Sequence, residues 1–111
     1  MQQVVRIEDL PESALEAAEV FHCAWRKRLQ AALAGTQELA IILPPAGPDH
    51  LDWRKAAARD LARAHAPRRI NIVTGADQPA IAAALAYLAG APGVTGQLLQ
   101  LDGAGAGNPA Q

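Results

Sequence analysis

Three times along the chain a stretch with helical spacing gives way to a short apolar run: "ELAIIL" at 38–43, "RINIVTG" at 69–75 and "QLLQL" at 97–101. None of these runs alternates strictly between polar and apolar residues, which suits strands covered on both faces. Helix and strand in alternation predict an α/β fold, a three-layer arrangement around a parallel sheet with right-handed crossovers. "QVVRI" at 3–7 has the composition of a further strand. The expectation is therefore three to four mostly parallel strands alternating with three main helices. A chain of 111 residues holds one domain, placed at 1–102. The Gly/Ala-rich stretch 103–111 has few side chains to pack and is expected to be flexible.

The helices carry recognisable punctuation. The first opens near Pro11 and Glu12 and closes at Gly35, with Leu15, Ala18, Phe21 or His22, Trp25, Leu29 and Ala32 or Leu33 recurring at helical spacing. The second starts at Asp49 as N-cap, runs to Pro67 and buries Trp53, Ala57, Leu61 and Ala64. The third is capped by Asp77, tolerates Pro79 in its first turn, lines one face with Ile81, Leu85 and Leu88, and ends at Gly90.

Charge and cysteine content narrow the function classes. A net charge of −1 removes the electrostatic argument for nucleic acid or an anionic membrane as partner. No apolar run has the length of a membrane span, and "MQQVVRIEDL" lacks the pattern of a secretion signal, so the cytoplasm is the expected location. Cys23 is the single cysteine, which excludes an internal disulfide and suits a small core or interface thiol. His22, His50 and His65 have no cysteine or carboxylate at ligand spacing and read as surface or half-buried residues. "WRKR" at 25–28 reads as a mixed-charge solvated face, and Tyr87 as a packing residue.

The later part of the chain is more specific. "VTGQLLQLDGAG" at 94–105, "AYLAG" at 86–90, Asn71 in its strand, "RDLARAHAPRRINIV" at 59–73 and, more weakly, "IEDLPESALEAAEVFHCAWRKRLQAAL" at 7–33 follow one pattern. On these residues the chain resembles the C-terminal half of the short-chain dehydrogenases/reductases. The resemblance implies a truncated Rossmann-like fold. It also implies subunit contacts made by the helix at 49–66 and by the last helix and strand, which singles out Trp53, Ala57, Leu61, Leu99 and Leu101 as interface residues.

The same resemblance locates the family's chemistry, position by position. Its glycine-rich cofactor loop has no counterpart at a strand-to-helix turn, because "GAGAG" at 103–107 follows the last strand. Pro44 and Pro45 stand where the catalytic serine belongs. The Tyr-x-x-x-Lys positions fall near Pro48 and Asp52, and Leu51 lies four residues before Lys55. Phe21 or His22 stands at the structural asparagine, and Thr74-Gly75 replaces a Pro-Gly pair. The segment that covers substrate is reduced to "ADQ" at 76–78. No catalytic, cofactor-binding or metal-binding residue is therefore expected, and no cofactor. The leading expectation is a non-catalytic relative that acts as a homodimer, or as a heterodimer with a full-length reductase. The alternative is an oxidoreductase subunit whose partner chain supplies the NAD(P) site, and a third reading is a decayed remnant.

Overall fold

The computed structural model describes residues 2–101. Along the chain it places β1 (Gln2–Arg6), α1 (Ala14–Ala24), α2 (Arg26–Leu33), β2 (Glu38–Leu43), a 3-10 turn (Pro48–His50), α3 (Leu51–Ala64), β3 (Arg69–Thr74), α4 (Gln78–Ala89) and β4 (Leu98–Gln100). The four strands form one parallel sheet in the order β1-β2-β3-β4. "QVVRI" thus joins the sheet at its edge, beside β2. The 103–111 stretch lies outside the described residues.

The register sorts side chains onto two faces. Val5, Ile41, Ile72 and Leu98 stand in one row across the sheet, and Arg6, Ile42, Val73 and Leu99 in the next. Because strand side chains alternate, the rows point to opposite faces. The first face packs against Phe21 of α1, Leu29 and Leu33 of α2, and Ala57 and Ala58 of α3. The second packs against Ile81, Ala84 and Leu88 of α4. Burial on both sides explains why β2 and β3 are apolar along nearly their whole length.

This arrangement corrects the expected handedness. From β1 to β4 the chain always steps to the next strand in the same direction, so crossovers of a single hand would put every connecting helix on one face. α4 lies on the other face, and the β3–α4–β4 connection has the opposite hand to the two before it. The first face has no room for it there: α3 already covers β3 and reaches the turn into β4. A Cβ on Gly96 (φ +72°) would stand 3.3 Å from the Ala62 side chain.

The first predicted helix is two helices, divided at Trp25. Its inward positions Ala17, Phe21, Trp25, Leu29 and Leu33 are four residues apart. Each such step drifts about 40° around a straight helix. Over the whole series the stripe would leave the sheet, and the break at Trp25 resets it. Leu15, two residues from Ala17, points away and is 83% exposed. Gly35 sits just past α2 with φ +82°, where a side chain would be strained.

Helix starts follow short polar side chains more than prolines. Ser13 Oγ, not the Pro11–Glu12 pair, caps α1 by accepting from the Glu16 amide at 3.3 Å. Asp77 caps α4 as expected, accepting from the Ala80 amide at 3.1 Å. Asp49 is not a cap: it falls inside the 3-10 turn that leads into α3. Asp77→Ala should cost about 1 kcal/mol in urea unfolding, because it returns an unbonded amide to the first turn of α4. No helix among the described residues is long and apolar enough to cross a membrane.

Candidate functional site

All four strands point their carboxyl ends the same way, and in open α/β sheets that end is where ligands bind. Here it is built from Ile7–Glu8 after β1, Pro44–Gly47 after β2, and Thr74 at the end of β3 with Gly75–Ala76 after it. The ends are tied together: the Ile7 amide donates to the Ile42 carbonyl at 2.9 Å, and the Gly75 amide to the Leu43 carbonyl at 3.3 Å. Two hollows open there. One, of about 340 Å³, lies between Leu10–Glu12 and Pro44–Gly47, with His50 and Arg54 in its lining. The other, of about 190 Å³, lies between the end of β1 and the start of α4.

The start of α3 supplies the polar groups. His50 is buried, not at the surface, because both ring nitrogens are engaged. Trp53 Nε1 donates to its Nδ1 at 3.1 Å, which assigns the proton to Nε2, and Nε2 donates to the Glu12 carbonyl at 2.9 Å. This neutral imidazole joins the approach to α1 to α3 and has no nitrogen left for a metal or a proton transfer. Among the described residues no group of three or more His, Cys, Asp or Glu is placed to hold a metal ion.

Arg54 is the larger departure from the sequence-based expectation. It is 2% exposed and donates from Nη1 to the Pro44 carbonyl at 2.8 Å and to Thr74 Oγ1 at 3.4 Å, fastening the end of β2 to the end of β3. Burial pushes the guanidinium pKa below its ordinary value. The buried stripe of α3 is Arg54, Ala57 and Ala58, with Trp53 and Leu61 half-buried beside it and Ala64 exposed. Positions 54, 57, 58 and 61 satisfy i, i+3, i+4, i+7. Only the charge at 54 hides it from a hydrophobic pattern.

The five expected interface residues are not brought together. Ala57 is buried against the chain's own sheet. Trp53 packs on Phe21 with ring centroids 5.4 Å apart, and Leu61 lines a groove of about 390 Å³ between α1–α2 and α3, so both stay partly open on the first face. Leu99 and Leu101 are half-buried on the opposite face, beside α4. Cys23 is exposed and is no core thiol. Tyr87, 56% exposed on α4, does not pack inside either.

Asn71 is buried on the α4 face. Its Nδ2 donates to the Val94 carbonyl at 3.1 Å, and its Oδ1 accepts from the Gln97 amide at 3.0 Å. Its function in this chain is to fix the loop that leads into β4. At the family's serine position the structure offers the Pro44 carbonyl facing a buried cation, and Thr74 Oγ1 is the nearby hydroxyl.

A family model described as SDR-like, short chain dehydrogenase-like protein, matches residues 5–101. No curated protein and no solved structure matches the chain at a significant level.

Proposed function

Because the chain belongs to the SDR-like family of short chain dehydrogenase-like proteins, we propose that it works by association, as a non-catalytic relative that pairs with itself or with a complete reductase. The observation that supports this reading is the uneven cladding of the sheet. α1, α2 and α3 cover one face, and α4 alone serves the other. Among the described residues nothing pairs with the outer edge of β1. A parallel sheet normally has cover on both faces and manages its edges, so a second chain is the natural complement. Val4, Leu99 and Leu101 leave partly open apolar surface on the thinly covered face. Proline at 44 and 45, in place of a hydroxyl, is what argues against catalysis by this chain alone.

Light scattering behind size exclusion should give twice the mass of the chain, or a stable complex when it is mixed with a full-length short-chain reductase. A strict monomer in both experiments overturns the proposal. Family membership also keeps the oxidoreductase-subunit reading in play. NADPH titration separates the two: binding by the mixed complex with gain of turnover favours the subunit reading, and no effect of the chain on cofactor affinity or turnover favours the non-catalytic one.

A further inference from the structure

Among the described residues the sheet ends in two open edges, and the two differ. At β4 the edge is three residues long, and Lys55 and Arg59 of α3 line the hollow beside its start at Leu98. Neither cation belongs to the ion pairs of the described residues, Arg63–Asp60 and Arg69–Glu38. A second copy docked there would bring uncompensated cations towards cations. At β1 the edge is five residues long, Gln2–Arg6. The Ile7 amide donates inward to the Ile42 carbonyl at 2.9 Å. Backbone polar groups alternate from side to side along a strand, so those of Gln3 and Val5 also serve β2. Those of Gln2, Val4 and Arg6 point outward.

The outward groups at 2, 4 and 6 are symmetric about Val4, so the edge complements itself. A two-fold axis through Val4, perpendicular to the sheet, sets Val4 opposite Val4 of a second copy and Gln2 opposite Arg6 of that copy. The whole of β1 is then used. Each Arg6 meets a neutral amide, whereas an in-register parallel pair would place Arg6 against Arg6, which is unfavourable. Val4 is half-buried on the thinly covered α4 face, and the contact between the two valines closes part of that surface. On the other face α2 packs over β1, so the same axis sets the two α2 helices side by side and antiparallel. The cationic start of one, Arg26–Arg28, then lies towards the carbonyl end of the other, where positive charge is favoured. We propose that the partner of this chain is a second copy of itself, joined through β1 as an antiparallel two-fold pair centred on Val4. The proposal rests on the association reading and specifies its surface, register and occupant.

The test is register-specific cross-linking of the full chain with Cys23→Ser, which removes the one exposed thiol. The pairing sets Gln3 opposite Val5 of the second copy, at a non-hydrogen-bonded position where Cα atoms stand about 4.5 Å apart, within reach of a disulfide. A mixture of Gln3→Cys and Val5→Cys chains should therefore oxidise to a linked dimer. Either variant alone should link far more slowly, because each faces its own copy two residues out of register. Val4→Pro removes only outward amides, so the chain should stay folded while the dimer dissociation constant rises roughly tenfold or more. Gln2→Glu, which sets a carboxylate opposite Arg6, should tighten the dimer most at low salt, and Gln2→Lys should loosen it. A dimer that survives Val4→Pro, with no preference for the mixed cross-link, overturns this proposal and leaves association through another surface intact. A chain that stays monomeric alone but binds a full-length reductase in a Val4→Pro-sensitive way overturns the second copy as occupant. A strict monomer in both experiments overturns association itself.

Discussion

Replacing Phe21 with alanine is expected to lower stability by about 3–5 kcal/mol, the range for deleting a buried aromatic ring. For a domain of this size that corresponds to a fall in melting temperature of roughly 15–30 °C. Phe21 is 1% exposed, attaches α1 to the first-face core and carries the Trp53 ring. The site cannot close over the loss. α1 is held at its start by the Glu12 carbonyl's bond to His50, and the Phe21 ring is one wall of the groove beside α3. Without it the groove would extend into the core and admit water against Leu29. A total stability of about 5–15 kcal/mol leaves little after such a change. Phe21→Leu keeps most of the volume and should lose much less. Urea unfolding of the two variants decides this: a loss below 1 kcal/mol for Phe21→Ala would mean that α1 is not anchored through this ring.

The elements legible in sequence are those whose burial leaves no choice of residue. β2 and β3 pass through the middle of the sheet with helices on both sides, so "ELAIIL" and "RINIVT" could only be apolar, and their limits were readable. α4 was readable at both ends because Asp77 and Gly90 do their work locally. The division at Trp25 was not, since no proline or glycine marks it. It follows from a four-residue spacing that only packing against the sheet makes untenable. The hand of the last crossover was hidden too, because it depends on α3 having filled the first face, a fact about distant residues. The candidate site shows the same limit. His50 reads in sequence as a surface or half-buried residue and Arg54 lies outside the expected apolar stripe, and both become interior only when Glu12, Pro44 and Thr74 come within reach. Trp53 and Leu61 lie on one face of the sheet and Leu99 and Leu101 on the other, a separation that sequence spacing does not show. Family motifs mark positions along a chain, and the faces those positions occupy come from packing.

Arg69→Met is expected to cost about 3–5 kcal/mol, as when one member of a largely buried ion pair is removed. Arg69 opens β3 directly opposite Glu38, and Nη2 meets Glu38 Oε2 at 2.8 Å with the two side chains only 14% and 19% exposed. Its Nη1 donates to the carbonyls of Leu88, Ala91 and Val94 at 3.1, 2.9 and 3.4 Å. These belong to the last turn of α4 and the loop beyond it, where helical carbonyls lack amide partners and the dipole is negative. One guanidinium therefore ends α4, ties it to the sheet and neutralises Glu38. Methionine keeps the packing and deletes all three. Glu38 would then be left without a cation, with Oε1 already unbonded. Glu38→Gln in the same chain should recover part of the loss, which separates the stranded charge from the lost carbonyl contacts. The damage should also be local. β4 has three residues, and the loop before it is held by Arg69, by Asn71 and by the Ile70 amide donating to Thr95 Oγ1 at 3.1 Å. Amide exchange should accelerate at Leu98–Gln100 before it does at Ile41 or Ile72. If association uses Leu99, the variant should dissociate under conditions where its central strands remain protected. Uniform loss of protection across the sheet would refute that separation and make β4 part of a single cooperative unit.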